Sequence, residues 1–317
     1  MNEIRLEATR DAYGKTLVEI GKENPNVVVL DADLSVSTKT SLFAKAYPER
    51  FFNMGIAEQD MISTAAGLAT CGKIVFASTF AVFGSGRAWD QVRQSVAYTR
   101  LNVKIVVTHG GITTGEDGAS HQANEDLAIM RALPNMTVIV PADSIETDKI
   151  IREAVKYYGP AYIRLSRAKT PLIHKSADFE LTIGKGIRMR EGKDVTIFTC
   201  GIMVAMALEA AEILKQEKIE ARVVNLHTIK PLDKELVVTC AQETGAVVTT
   251  EEHSIIGGLG GAVAEILSEN CPIPLARVGL KDMFGESGKP EELLVKYGLT
   301  AGEIVKAVKR VTARKKA

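Results

Sequence analysis

VKIVVTHGGITTGEDGASHQANEDLAIMRAL, residues 103–133, carries a strand, a loop and a helix in that order. Val103 to Thr108 is a continuous β-branched run, and Glu125 to Leu133 places apolar residues at helical spacing. An apolar strand without polar alternation is buried on both faces, which puts it inside a parallel sheet covered by helices. Between Thr108 and Gln122 the chain passes four glycines, two histidines and two acids. Ligands of open α/β sheets bind beyond the carboxyl ends of the strands, where this loop begins. A loop of this length needs a reason to exist. Any one of its residues alone reads as solvated surface, but two histidines around an acid point to a site that handles hydroxyl or carbonyl groups.

The same alternation extends both ways from that segment. Val27 to Leu30, Lys73 to Ala77, Thr137 to Val140 and Ala161 to Leu165 are further strand candidates, with helices at Glu7 to Lys22, Ala57 to Thr70, Arg87 to Thr99 and Ser144 to Tyr157. The expected fold class is α/β, with an open parallel-sheet domain over residues 1–170. Residues 171–183 include Pro171, His174 and Ser176, show no regular period and read as a linker. A smaller α/β domain follows over 184–317, with strands at Val195 to Thr199, Ala221 to Leu226, Ala246 to Thr250 and Ala276 to Val278, and a helix from Val204 to Gln216.

Composition narrows the function classes. Basic and acidic side chains number 39 each, so the 317 residues carry no net charge, and 46% hydrophobic with 25% charged residues is the make-up of a soluble globular chain. Without a basic face there is nothing to release counterions from a phosphate backbone, which argues against nucleic acid. The Arg314-Lys315-Lys316 run reads as a solvated, frayed tail. Cys71, Cys200, Cys240 and Cys271 form no CxxC or zinc spacing, which favours packed thiols in a reducing compartment and no metal on this chain. MNEIRLEATRDAYGK shows no secretory pattern, and the longest apolar stretch, Val195 to Leu208, is broken by Thr199, Cys200 and Gly201. A cytoplasmic protein with no membrane segment is expected.

Three further motifs carry chemistry, each with a plainer alternative. Gly257-Gly258-Leu259-Gly260-Gly261 opens a helix after a strand, yet lacks both the GxGxxG spacing and a Lys-Ser/Thr pair, so packing or a turn is the better reading; Gly84-Ser85-Gly86 is similar. In Asn53-Met54-Gly55-Ile56-Ala57-Glu58-Gln59 a short strand turns into a helix with Glu58 in its first turn. Acids are favoured there by the helix dipole, but a half-buried setting beside Ile56, Met61 and Ile62 would raise the Glu58 pKa and let it hold a proton near neutrality. Ser78-Thr79-Phe80-Ala81-Val82-Phe83 places two phenylalanines three apart on what reads as one helical face. They form either core or a stacking platform for a flat ring.

GIAEQ, TFAVF and TGEDGASHQ, in that order along the chain, resemble the pyrimidine-binding domain of thiamine-diphosphate enzymes of the transketolase family. From Gly184 onward the chain, with EEHSIIGGLGGAVAE, is similar to that family's C-terminal domain. The resemblance implies roles. Glu58 matches the glutamate that hydrogen-bonds a ring nitrogen of the cofactor's aminopyrimidine and so promotes activation of the thiazolium carbon. Phe80 and Phe83 match aromatics packed on the pyrimidine; some members have a third where this chain has Gly86. Asp33 matches an aspartate near the cofactor. His121 and Asp117 match contacts to sugar hydroxyls beside the reacting carbon, which makes His121, with Glu58, a catalytic candidate. Arg10, Ser37, His109 and Arg167 match the phosphate-contacting set, and two guanidiniums, a hydroxyl and an imidazole suit a sugar phosphate dianion.

The family holds the cofactor diphosphate through a divalent metal, Mg or Ca, on a domain with Gly-Asp-Gly and, some thirty residues later, Asn. No Gly-Asp-Gly occurs in the 317 residues. The resemblance therefore implies a split transketolase: an N-terminal subunit supplies the Gly-Asp-Gly…Asn domain, sugar phosphates are the substrates, and two copies of each chain give an α2β2 particle. The alternatives are a 1-deoxyxylulose-5-phosphate synthase-like chain, a 2-oxoacid dehydrogenase E1 β-like subunit, and a non-catalytic subunit that keeps only the fold.

Overall fold

In chain order the strands are β1 Leu6–Ala8, β2 Val27–Asp31, β3 Phe51–Asn53, β4 Ile74–Phe80, β5 Val103–Thr108, β6 Thr137–Ile139, β7 Ala161–Arg164 and β8 Lys169–Pro171 in the first part. The second part adds β9 Ile187–Arg190, β10 Val195–Thr199, β11 Ala221–Asn225, β12 Thr228–Lys230, β13 Val247–Ser254 and β14 Leu275–Leu280. The computed structural model describes residues 5–315; residues 1–4 of the N-terminal stretch read for a leader, and Lys316 of the basic run, lie outside them.

The larger sheet runs β12-β6-β7-β5-β4-β2-β3, parallel except where β12 joins. Its strands are apolar on both sides because both sides are covered. Val27, Val29, Phe76 and Val106 face one layer with Tyr13, Leu17, Ile150 and Ile151. Their neighbours Val28, Leu30, Val75, Ala77, Ile105 and Val107 face the other, with Met61, Ile62 and Ala65. The second sheet, β14-β13-β10-β11-β9, is parallel apart from β9. Its own apolar layer gathers Ile197, Val223, Val248, Ala207, Ile304 and Val308.

The structure departs from the sequence reading in several places. β12 comes from the second part of the chain yet pairs antiparallel with β6 of the first sheet, Thr228 opposite Ile139. Phe198, Val224, Leu226 and Ile229 accordingly pack into the same core as Ile62 and Val107. The linker is not featureless, since β8 pairs with β1, Leu6 opposite Pro171. The expected helix from Arg87 to Thr99 is instead irregular, with i→i+5 bonds from Ala88 N to Phe83 O and from Tyr98 N to Arg93 O. A Cβ built on Gly84 would lie 2.8 Å from the Val107 side chain, so only glycine lets this turn pack directly onto β5. The C-terminal helix is tied down rather than frayed as far as Lys315, whose Nζ donates to Thr244 O at 2.6 Å. All four cysteines are free, with Cys200 and Cys240 buried. Among the described residues no helix is long and apolar enough to cross a membrane.

Candidate active site

Parallel strands deliver their C-terminal exits to one edge, and most of the singled-out residues leave the first sheet there. After β2, the buried Asp31 carboxylate accepts from Leu34 N at 2.6 Å, Thr38 Oγ1 at 2.7 Å and Thr40 Oγ1 at 2.8 Å. That cradle bends the turn carrying Asp33, at φ 63°, and the helical turn carrying Ser37. After β3, Asn53 Nδ2 donates to Asp33 Oδ1 at 3.0 Å, and Asn53 Oδ1 accepts from Asp33 N and from Gly55 N. Gly55 adopts a left-handed φ of 71° and turns the chain into the helix Glu58–Thr70. Glu58 is 1% exposed, and Arg87 Nη1 donates to both of its carboxylate oxygens, at 2.9 and 3.0 Å. The half-buried setting expected from the sequence is a fully buried one with a cationic partner.

The two phenylalanines do not share a helical face: Phe80 ends β4 and Phe83 opens the irregular turn behind it. Their rings are nonetheless near parallel, at 12°, with centroids 6.0 Å apart. His109, leaving β5 with φ 60°, stacks on Phe80 at 3.7 Å, and His121 meets Phe83 edge-on at 5.4 Å. Thr108 Oγ1 and His109 Nδ1 are 2.8 Å apart, and Ser120 Oγ and His121 Nδ1 are 2.9 Å apart. Burial, and then the positive charges of Arg10, Arg167 and His121, push His109 down to about 3, so its imidazole is neutral.

That repulsion marks a cationic pocket. Burial and Arg167 also lower the Arg10 pKa; Arg10 Nη1 donates to Ser37 O at 3.0 Å, and its buried Nε has no partner among the described residues. Arg167 Nη1 is held by Thr114 O and, at 2.7 Å, by the Glu116 carboxylate. Ser37 thus enters through its carbonyl rather than its hydroxyl. Asp117 stands apart: it is exposed, and among the described residues no hydrogen bond or ion pair joins it to His109 or His121.

The loop that holds both histidines is pinned by the second part of the chain. Thr113 N donates to Glu252 Oε1 at 2.7 Å, Gln122 Nε2 to Glu286 O at 2.9 Å, and Ser287 Oγ to Glu116 O at 2.7 Å. Beneath it Arg164 Nε donates to Asp126 Oδ2 at 2.9 Å and Nη2 to the carbonyls of Ala123 and Glu252. Charge on a buried guanidinium is kept by Asp126 and Glu252 beside it, against the cost of burial.

Comparison with known proteins decides the family. Residues 7–172 match the model of the transketolase pyrimidine binding domain, and 184–304 match that of the transketolase C-terminal domain. The chain belongs to the transketolase family. It is 55% identical over 303 residues to a transketolase C-terminal section of Methanocaldococcus jannaschii, covering 94% of each. It is 48% identical to the 6-deoxy-6-sulfo-D-fructose transketolase subunit of Clostridium sp. (strain MSTE9), covering 99% of this chain and 98% of that one. A solved structure described as a split gene transketolase in an inactive β4 tetramer superposes with a TM-score of 0.91 at 60% identity, over 97% of this chain and 99% of the other.

Set against the transketolase family, the glycine motifs read as turns can be resolved. The Gly257–Gly261 loop is no phosphate cradle, because the buried Glu251 carboxylate already accepts from Leu259 N at 2.7 Å and Gly260 N at 2.8 Å. Arg87, Asp31, Arg164 and Gln122 were missed as site-building residues. Only Gln122 left a signal, as the last residue of the quoted loop motif; the others depend on pairings between segments far apart in sequence.

Proposed function

We propose that this chain is the C-terminal subunit of a two-component transketolase that moves a two-carbon ketol unit from a ketose phosphate to an aldose phosphate. The division is residues 1–170 for the pyrimidine side, 171–183 for the linker and 184–317 for the C-terminal domain. The observation that carries the reading is the buried Glu58 carboxylate beside the stacked Phe80 and Phe83 rings, next to the cationic pocket of Arg10 and Arg167. A buried acid and a pair of flat faces fit the aminopyrimidine end of thiamine diphosphate. For the diphosphate end the sequence offers no Gly-Asp-Gly segment. That end is assigned to an N-terminal subunit bearing Gly-Asp-Gly…Asn with Mg or Ca. An α2β2 particle follows from two-fold symmetry, and the β4 tetramer of a split relative, described as inactive, supports the need for a partner.

When bound, the cofactor supplies the nucleophilic carbon and electron sink for carbon–carbon cleavage. This chain does the rest of the work on its side. Glu58, buried at 1% exposure, holds the hydrogen bond to the ring nitrogen. Phe80 and Phe83 fix the ring plane, and Asp33, tethered by Asn53, borders the helix turn that presents Glu58. His121 and Asp117 take the sugar hydroxyls at the reacting end. Neutral His109 can donate without adding charge, leaving Arg10, positioned by the Ser37 carbonyl, and Arg167 to neutralise the distal phosphate.

Reconstitution tests this. The chain is expected to be inactive alone with xylulose 5-phosphate and ribose 5-phosphate, and to turn over once the Gly-Asp-Gly subunit, thiamine diphosphate and Mg are added. Glu58→Ala should lower kcat by about 100-fold or more, the scale of a lost acid–base contact. Strong activity of the single chain, or a Glu58→Ala complex within a few-fold of wild type, would sink the proposal. Pyruvate, with and without glyceraldehyde 3-phosphate, separates the two rival thiamine-diphosphate activities.

A further inference from the structure

Glu58 is not waiting for a ligand with its carboxylate empty. Arg87 Nη1 donates to both of its oxygens, at 2.9 and 3.0 Å, and the same guanidinium carbon lies 4.4 Å above the centroid of the Phe83 ring. One side chain therefore covers both features that a flat heterocycle would need, the acid and the ring face. The two partners are unequally placed: the Glu58 side chain is 1% exposed and that of Arg87 is 46% exposed. Arg87 reaches in from solvent and ends on a buried charge.

We propose that Arg87 is a resident counter-ion that occupies the aminopyrimidine site in the unliganded chain and is displaced by the incoming ring. The inference rests on the reading of Glu58 given above. Three physical points support a displaceable plug over a fixed strut. A buried carboxylate stripped of its partner is costly, so Arg87 can leave only in exchange for another partner at the same oxygens, which for an aminopyrimidine is a ring nitrogen that shares a proton with the carboxyl. The backbone of Arg87 is anchored independently, since Gln59 Nε2 donates to Arg87 O at 3.3 Å. The side chain can thus swing without unfolding the irregular turn Phe83–Arg87, and a Cβ built on its neighbour Gly86 meets nothing within 4 Å, so there is open space beside it. A ligand offering a ring but no donor, or a donor but no ring, replaces only half of what Arg87 provides. The plug therefore selects for ligands carrying both.

The chain supplies its own reporter. Trp89, its sole tryptophan, stands two residues from Arg87 and opens the next helical turn, Trp89–Gln91. The probe is thiamine, which carries the aminopyrimidine but no diphosphate, so its binding to the full chain does not depend on the partner's metal. Trp89 fluorescence and titration calorimetry are the readouts. Arg87→Gln is expected to bind thiamine about tenfold more tightly than wild type, because the competent fraction no longer has to be won from the closed one. Arg87→Lys, which restores the cation, should stay within about threefold of wild type. Arg87→Met, which keeps an unbranched apolar side chain and removes the guanidinium with its charge and donors, serves if Arg87→Gln does not fold, and should also tighten binding. Unchanged or weaker binding in a folded Arg87→Gln or Arg87→Met chain overturns the proposal. Binding that Glu58→Gln leaves untouched, or no thiamine binding by any form, overturns the underlying reading of the site instead.

Discussion

Arg10, Arg167 and His109 set the charge of the pocket between them. A histidine pushed down to about 3 by burial and two facing guanidiniums does not protonate in any working range, so His109 itself adds no pH-dependent charge to the pocket near neutrality. Such a pocket holds unbalanced charge at some cost, and a dianion relieves it. The sharper arginine to test is Arg10, whose buried Nε has no partner among the described residues, because Arg167 already shares its charge with Glu116. Arg10→Gln should raise KM for a phosphorylated acceptor by roughly 10- to 100-fold, the worth of one or two charge-assisted hydrogen bonds. KM for glycolaldehyde, which has no phosphate, should move by less than about threefold on the same argument. Steady-state kinetics of the reconstituted enzyme decides it; an equal rise for both acceptors would mean that Arg10 only supports the fold. At this scale residue types were legible in the sequence, and partners were not. TFAVF announced two aromatics, but that Phe80 would stack on His109 depended on β4 and β5 lying side by side, Phe80 opposite Thr108.

The loop from His109 to Gln122 owes its shape to an element from the other end of the chain. Gly111, Gly115 and Gly118 all sit at left-handed φ, so the loop has little conformational preference of its own. It is held instead at Thr113, Glu116 and Gln122 by Glu252, Ser287 and Glu286, and at Gly115 by the ring of Pro290, about which a Cβ would come within 3.3 Å. Gln122 is the keystone, 3% exposed and donating to both Ile112 O and Glu286 O. Gln122→Ala should lower the melting temperature by only a few degrees, the cost of about 1–3 kcal/mol in a chain this size. It should nonetheless cost about tenfold in kcat/KM, because a displacement near 1 Å at the histidines is expensive in catalysis. Differential scanning calorimetry beside kinetics separates the two, and a large stability loss with unchanged kcat/KM would show the clamp to be structural only. The strand-and-helix alternation that fixed the first sheet was readable because burial on both faces leaves continuous apolar runs. The clamp was not, since Asp282–Pro290 is polar, glycine-rich and far from the loop in sequence. The irregular turn at Phe83–Arg87 escaped for a related reason, as a single turn is too short for the wider i→i+5 period to show against the α-helical one.

The two sheets are joined through a buried polar junction that makes the molecule respond to pH as one body. Glu146, in the helix Ser144–Lys156 of the first part, accepts from Ala142 N at 2.6 Å and from Asn225 Nδ2, on β11 of the second part, at 2.8 Å. His174, in the linker, lies 4.0 Å from the same carboxyl, and Asp143 accepts from the backbone of Ile173 and His174 at 2.9 Å. Burial, with a smaller push from Asp143, raises Glu146 to about 8. The folded chain therefore keeps a proton that the unfolded chain has released. The stability this gives is complete below the ordinary value of 4.5 and is lost as pH rises from there through about 8. His174 and His227 are pushed down by burial and act the other way, costing stability as pH falls below 6.5. Glu146→Gln removes the titration while keeping a neutral side chain of the same shape. Its unfolding free energy relative to wild type should rise steadily between pH 4.5 and pH 8, a window that denaturant melts can sample point by point. A difference that stays flat across that window would mean that Glu146 is already ionised in the folded junction. The two parts would then be joined by a buried charge rather than a proton, and Glu146 would add nothing to the pH dependence of their docking.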